Sequence, residues 1–214
     1  MTTLVKICGL RTPETVEAAL AGGADMVGLV FFPRSPRNVS IEEAKRLRAV
    51  VGDRAAVVAL VVDADDALLD AIRDEVRPDL LQLHGRETPE RVAAIRERTG
   101  LPVMKALGVS DAADLARAAA YAPVADRLLF DAKPPQGAVL PGGNGVAFDW
   151  RLLAGLDLPK PFMLSGGLDP GNVAEALAVT RAPGVDVSSG VERAPGDKDP
   201  ERIAAFIKAA RGAA

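Results

Sequence analysis

Short apolar stretches alternate with longer amphipathic stretches along almost the whole chain. The apolar stretches are rich in Val, Leu, Ile and Phe, which favour strands, and they occupy residues 4–8, 26–32, 55–62, 80–84, 103–107, 127–131, 161–165 and 185–188. Between them Ala, Arg and Glu recur at helical spacing, most clearly over residues 13–21, 41–50, 87–98, 172–179 and 200–210. The pattern predicts a βα unit repeated eight times.

Several of the predicted helices begin at a recognisable signal. Pro13 suits the first position of a helix, and Ser40, Thr88 and Ser110 offer hydroxyl groups that can accept a backbone N–H. Apolar strands joined by helices are typical of a parallel sheet with a covered outer face, and eight such strands can close into a ring. We therefore predict a single-domain (β/α)8 barrel, the TIM-barrel fold, over residues 1–214, with an open doubly wound sheet as the alternative.

The composition of the chain indicates which kinds of partner it can bind. The 26 basic and 29 acidic residues are interspersed, which argues against a nucleic-acid-binding surface. No apolar run approaches the ~18 residues of a membrane-spanning helix, and the first residues lack the pattern of a secretory signal. A single cysteine cannot form an intramolecular disulfide. We expect a cytoplasmic protein that acts on a small molecule, with neither nucleic acid nor membrane as its partner.

Two predicted strands end in residues that can transfer protons. Cys8 ends the first strand and Asp131 the sixth, and a barrel of this kind places its active site at these carboxyl ends. Strand alternation puts Lys6 and Cys8 in the interior, where the ammonium group is expected to favour the thiolate. Simple packing is the competing interpretation of Cys8. For Asp131 the competing interpretation is helix capping or loop ordering, with Lys133 as a possible partner of its carboxylate. Lys6 and Asp186 are expected to form an interior ion pair, because the first and eighth strands are neighbours in a closed barrel.

Glycine-rich loops follow the last two predicted strands. They are Ser165-Gly166-Gly167 and Ser188-Ser189-Gly190, in the positions where barrels commonly bind phosphate through backbone N–H groups. Ordinary tight turns also use glycine, so either loop alone is weak evidence. The long irregular segment 132–148 lies where an active-site lid would be expected.

The loop after the second strand contains two arginines, Arg34 and Arg37, and a guanidinium group can bind a substrate carboxylate in a bidentate manner. A solvated surface position is the alternative for at least one of them. His84 receives no assigned role. With one His and one Cys, the chain offers no set of transition-metal ligands, and the first βα turn lacks a dinucleotide-binding motif.

Eight segments spread along nearly the whole chain resemble the motifs of one enzyme family. They are VKICGL (5–10), GLVFF (28–32), SPR (35–37), QLHG (82–85), FD (130–131), the glycine-rich segment 141–149, LSGGL (164–168) and DVSSGVE (186–192). These motifs are similar to those of the phosphoribosylanthranilate isomerases. The resemblance implies an enzyme of tryptophan biosynthesis that converts N-(5-phosphoribosyl)anthranilate into 1-(2-carboxyphenylamino)-1-deoxyribulose 5-phosphate by an Amadori rearrangement without a cofactor or metal.

The resemblance also implies roles for individual residues. By motif, Cys8 is the general base, Asp131 the general acid, and Arg37 the partner of the anthranilate carboxylate. Gly145 matches a position in the loop after the sixth strand that is mobile in that family, and it is expected only to line the site. The residues expected to bind phosphate through backbone N–H groups are Gly166, Gly167, Ser189 and Gly190. A monomer and a homodimer remain equally open.

Two other functions are compatible with such a barrel. A histidine-pathway isomerase performs the same rearrangement on a phosphoribosylated imidazole, but that family resembles a two-aspartate design, whereas this first strand ends in Cys8 and no second Ser-Gly-Gly loop occurs mid-chain. A phosphate-ligand sensor that has lost turnover is the non-enzymatic alternative.

Overall fold

Eight parallel strands close into a barrel in chain order. The structure is a computed structural model that describes residues 3–133, 137, 140, 142–143, 145, 147–156 and 158–213. The strands are Leu4–Cys8 (β1), Met26–Phe31 (β2), Ala56–Val61 (β3), Leu80–Leu83 (β4), Val103–Val109 (β5), Arg127–Ala132 (β6), Phe162–Leu164 (β7) and Gly184–Val187 (β8). Because β1 pairs with β8, the predicted barrel is confirmed and the open-sheet alternative is wrong.

Helices cover the outside of this barrel. They are Pro13–Gly22 (α1), Ile41–Val51 (α2), Asp66–Ala71 (α3), Pro89–Thr99 (α4), Ala112–Ala116 (α5), Ala118–Tyr121 (α6), Val173–Thr180 (α7) and Pro200–Gly212 (α8). A π-helical turn, Ile72–Val76, extends α3, and a small hairpin of Glu192–Ala194 (β9) and Asp197–Lys198 (β10) precedes α8. None of the described helices is long and apolar enough to cross a bilayer.

The prediction of a helix after every strand is wrong for the sixth unit. The described residues between β6 and β7 contain a 3₁₀ turn, Trp150–Leu153, but no α-helix. The sequence of this connection has several prolines and glycines, the two residue types that disfavour a helix interior most strongly. In its described residues the sixth unit therefore presents irregular segments and a 3₁₀ turn, where the other units present an α-helix.

The helix starts follow the predicted signals with one exception. Ser40 forms a capping box at the start of α2, and the Thr88 hydroxyl accepts a backbone N–H of α4. The cap of α5 is Asp111, whose carboxylate accepts two backbone N–H groups, so the prediction of Ser110 as its cap is wrong. Ser110 instead donates its hydroxyl to Asp114.

Strand alternation divides the apolar residues into two layers. Val5 and Ile7 belong to the layer between sheet and helices. The barrel interior is filled by Met26, Val58, Leu80, Met104, Ala106, Leu129 and Met163. Above them Cys8, Val30 and Leu60 form a second interior cluster. The predicted interior position of Cys8 is confirmed, and the filled lower layers leave only the carboxyl end of the barrel open.

Candidate active site

A cavity of about 760 Å³, measured to its open mouth, lies at the carboxyl ends of the strands. The loops after β2, β6, β7 and β8 contribute to its wall, as barrel geometry requires. The predicted site residues that line it are Cys8, Arg37, Asp131, Gly145, Gly166, Gly167 and Ser189. Gly190 does not line the cavity: it packs so closely against the carbonyl of Leu168 that a side chain there would collide with it.

One side of the cavity is built around Cys8, which is 3% exposed. Lys6, two residues earlier on the same face of β1, donates from Nζ to Asp186 Oδ1 at 2.8 Å, which confirms the predicted ion pair. Gly28 pairs with Cys8 across β1 and β2, and a Cβ on Gly28 would lie 2.8 Å from the Cys8 Sγ. The missing side chain at position 28 therefore makes room for the thiol.

The pKa of Cys8 differs from the one expected from the sequence. Burial raises the pKa of Cys8, and this effect outweighs the opposing charges of Lys6 and Lys198. The prediction that Lys6 makes the thiolate the favoured form is therefore wrong in its net direction. For Lys6 itself, burial would lower the pKa, but the charge of Asp186 and the hydrogen bond to it outweigh burial and raise the pKa, so this side chain stays cationic.

The opposite side of the cavity is built around Asp131, which is 4% exposed. Its Oδ1 accepts the Ala132 N–H at 2.9 Å, and its Oδ2 lies 3.3 Å from His84 Nε2. Lys133, which the sequence offers as a possible partner of Asp131, pairs instead with Asp114 at 3.0 Å. Gly142 lies directly over the carboxylate, since a side chain at position 142 would collide with Oδ2.

Arg37 is held at the rim by an ion pair that the sequence did not reveal. Its Nε and Nη2 donate to the two carboxylate oxygens of Glu192 at 2.7 and 2.8 Å. The Nη2 group also donates to the Gly143 carbonyl at 3.3 Å. None of the described residues accepts from Nη1, which is therefore the available edge of the guanidinium. Arg34, the other arginine of this loop, is exposed and does not line the cavity.

Glu192 also binds a second cation. Lys198 on β10 donates to Glu192 Oε1 at 2.7 Å and to the Ser188 carbonyl at 2.9 Å. Burial lowers the pKa of Lys198 to about 8. Burial would raise the pKa of Glu192, but the hydrogen bond from Arg37 and the charge of Lys198 outweigh it and lower that pKa. The cluster therefore carries one net positive charge until Lys198 loses its proton.

The two glycine-rich loops meet at the third side of the cavity. Gly166 and Gly167 have φ of +88° and +65°, which favour glycine, and no described residue accepts a hydrogen bond from their N–H groups. Asn172 donates from Nδ2 to the Gly167 carbonyl at 2.8 Å and thereby fixes the first loop. The second loop forms a 3₁₀ turn, Ser189–Val191. Free N–H groups of this kind suit an anion.

Two more observations bear on the predicted chemistry. Gly145 adopts φ of +71° beside Ser189, so the loop after β6 reaches the second glycine-rich loop.

Within the part of the chain that the structure describes, no group of three or more His, Cys, Asp and Glu side chains could bind a metal ion.

A family model, a curated relative and a solved structure that are similar to this chain all point to one enzyme family. A family model described as N-(5'phosphoribosyl)anthranilate (PRA) isomerase matches residues 5–209. The chain is 64% identical over 211 residues to the N-(5'-phosphoribosyl)anthranilate isomerase of Rhodopseudomonas palustris (strain HaA2), covering 99% of this chain and 97% of that protein. It is similar to the crystal structure of phosphoribosyl anthranilate isomerase from Thermotoga maritima, with a TM-score of 0.86, 38% identity and coverage of 98% and 99% of the two chains.

A second solved structure contains a ligand. It is a phosphoribosyl anthranilate isomerase in complex with reduced 1-(o-carboxyphenylamino)-1-deoxyribulose 5-phosphate, with a TM-score of 0.83, 38% identity and the same coverage of 98% and 99%.

Proposed function

The chain belongs to the N-(5'-phosphoribosyl)anthranilate isomerase family, and from that premise we propose that it catalyses this isomerisation with Cys8 as general base and Asp131 as general acid. The observation that supports the assignment is that both groups line one cavity, on different sides of it. A thiol and a carboxyl group that face one substrate from two directions can perform an acid step and a base step without a cofactor.

The substrate's two anionic ends match two parts of the cavity wall. The phosphate binds the backbone N–H groups of Gly166, Gly167 and Ser189 on the cavity wall, and that of Gly190, which follows Ser189 in the same 3₁₀ turn just behind the wall. The anthranilate carboxylate binds the Nη1 edge of Arg37, because Glu192 already occupies the Nε edge. Gly145 lines the site between these ends. With both ends anchored, the ribose lies between Cys8 and Asp131.

The reaction then needs two proton transfers. Asp131 protonates the furanose ring oxygen, the bond from C1′ to that oxygen breaks, and the lone pair of the anthranilate nitrogen forms an iminium ion. The thiolate of Cys8 removes the C2′ proton and the electron pair moves to give an enolamine. Return of a proton to C1′ and loss of the enol proton yield the ketone. The protonation count of the enzyme is unchanged at the end.

The buried thiol is suited to act second. Burial raises the pKa of Cys8, so the thiol is the resting form, and it must lose its proton to solvent before Cys8 can act as the base. The iminium ion places a positive charge beside Cys8 at the moment when the base is required, and a nearby cation favours the thiolate. Lys6, which is cationic and close to Cys8, acts in the same direction.

Fluorescence of freshly generated phosphoribosylanthranilate tests the activity. We expect added protein to accelerate its decay without release of anthranilate, the product of the competing hydrolysis. A decay rate equal to the blank would refute the activity. The histidine-pathway substrate and a ligand-binding titration with the intact substrate would then distinguish the other isomerase from a sensor.

We further propose a cytoplasmic enzyme that is a monomer or a homodimer. One similar solved structure describes monomers generated from a dimeric isomerase of Thermotoga maritima, so both states are compatible with this barrel. Light scattering coupled to size exclusion gives the mass of the particle and distinguishes the two states.

A further inference from the structure

Three side chains form a chain of contacts between β4 and β6. His84, immediately after β4, has its Nε2 3.3 Å from Asp131 Oδ2 and its Nδ1 3.1 Å from Gln82 Nε2. The intervening strand β5 presents the small Ala106 to the barrel interior. Gln82 is 0% exposed and the His84 side chain 12%, so water contributes little here.

The amide nitrogen of Gln82 faces Nδ1 of His84 in this structure. An amide NH2 group can only donate, so Nδ1 must accept from it. A neutral imidazole whose Nδ1 accepts has its hydrogen on Nε2, which faces Asp131. Gln82 Oε1 is buried without a hydrogen-bond partner among the described residues. The contact with His84 is therefore the one polar interaction of the Gln82 side chain in the described structure.

Each oxygen of Asp131 then faces a nitrogen. The Ala132 N–H donates to Oδ1 at 2.9 Å, and His84 Nε2 lies 3.3 Å from Oδ2. Gly142 covers this pair, since a Cβ at position 142 would lie 2.7 Å from His84 Nε2. A donor at each oxygen orients a carboxyl group and stabilises the carboxylate that remains after the proton has been delivered.

We propose that His84 is a positioning residue for Asp131, acting through an Nε2–H donor whose direction is set by Gln82. The proposal rests on the role proposed above for Asp131 as the general acid. Removing the donor misorients the acid and leaves both substrate anchors intact, so kcat falls while KM stays close to that of the wild type. A supporting residue of this kind typically contributes about 10- to 100-fold.

Two matched substitutions separate donation from packing. His84→Gln places an amide N–H about where Nε2–H lies, whereas His84→Phe fills the ring volume and has no donor. We expect His84→Gln to keep most of the wild-type kcat and His84→Phe to lose about 10- to 100-fold, with KM little changed in both. A His84→Phe enzyme as fast as the wild type, or equal losses in both variants, overturns the proposal.

Nuclear magnetic resonance tests the hydrogen-bond direction without any turnover. His84 is the only histidine, so ¹⁵N-histidine labelling gives the signals of a single imidazole ring. We expect the free protein to show the neutral Nε2–H tautomer, and Gln82→Met to weaken that preference. A dominant Nδ1–H tautomer in the wild type means that Gln82 accepts instead of donating, and it overturns the proposal even if the variant does not fold.

Failure of the proposed function has a different signature. In that case the wild-type protein does not accelerate substrate loss at all, whereas the tautomer is still measurable. A wild type that is active, has the Nε2–H tautomer and loses kcat in His84→Phe supports the assignment of His84.

Discussion

The two sides of the cavity surround their proton-transfer groups with different chemistry. Cys8 lies among charges, with the Lys6–Asp186 ion pair beside it and Lys198 near enough to influence it. Asp131 is contacted by a backbone N–H and an imidazole nitrogen. Charges partly offset the burial that opposes ionisation of the thiol, whereas directional donors fix the orientation of a carboxyl group. The comparison indicates that the proposed base is controlled by electrostatics and the proposed acid by geometry.

The largest expected effect comes from removing either group. Cys8→Ser and Asp131→Asn should each lower kcat by about 10²- to 10⁴-fold, because each removes one proton-transfer step. Calorimetry should give a nearly unchanged affinity for reduced 1-(o-carboxyphenylamino)-1-deoxyribulose 5-phosphate. Neither substitution alters the glycine-rich loops or Arg37, which are proposed to bind its phosphate and its carboxylate. Wild-type turnover in either variant would remove that residue from the mechanism.

The charged side is expected to matter for stability as well. Lys6→Met leaves Asp186 buried without its partner, which should lower the free energy of unfolding by about 3–5 kcal/mol in urea titrations. Arg54→Met is the matched control, because it breaks an equally short ion pair, with Glu17, whose side chains are 52% exposed. That control should lower the free energy of unfolding far less, because exposed ion pairs are screened by solvent. An equal loss of unfolding free energy in the two variants would show that burial of the Lys6–Asp186 pair does not set its contribution to stability.

Arg37 tests the proposed contact with the substrate carboxylate, which is separate from the surroundings of both Cys8 and Asp131. Arg37→Ala should raise KM by about 10- to 100-fold with a smaller effect on kcat, because a charged hydrogen bond to the substrate carboxylate contributes about 1.5–3 kcal/mol. Arg34→Ala is the control, since this arginine of the same loop is exposed and outside the cavity wall. Steady-state kinetics with an unchanged KM in Arg37→Ala would reject the carboxylate contact.

The smallest expected effect is on pH dependence. Burial raises the pKa of Cys8, so kcat should increase with pH above neutrality as the thiolate forms. Burial lowers the pKa of Lys198 to about 8, so above this pH the cluster with Arg37 and Glu192 loses its net positive charge. KM should then rise by a factor of about 3 to 10. Lys198→Met should show a high KM that changes little between pH 7 and 9. If the KM of the wild type is constant over the same pH range, the charge of Lys198 does not contribute to substrate binding.

Much of the barrel and its charged interior could be predicted from the sequence, because strand alternation and ring closure are regular. The interior position of Cys8 and the pairing of Lys6 with Asp186 both follow from these two rules. The net direction of the Cys8 pKa did not follow, because it depends on how completely the thiol is buried as well as on the nearest charge.

The parts that could not be predicted depend on loops and on side chains far apart in the chain. Arg37 and Glu192 are 155 positions apart, and nothing in either local sequence indicates that they meet. His84 reaches Asp131 across an intervening strand, a contact that no periodicity reveals. The absence of an α-helix among the described residues of the sixth connection was signalled by its Pro and Gly, but those residues also suit a short loop before a helix.

The bond between Lys6 and Asp186 joins two residues 180 positions apart, the first strand to the last. A growing polypeptide therefore cannot assemble the surroundings of Cys8 until β8 has been synthesised and has docked against β1. Before that moment the chain's only thiol is accessible to alkylating reagents, and afterwards it is shielded at 3% exposure. The rate at which such a reagent modifies Cys8 thus reports ring closure during biosynthesis or refolding, and no other cysteine contributes to the signal.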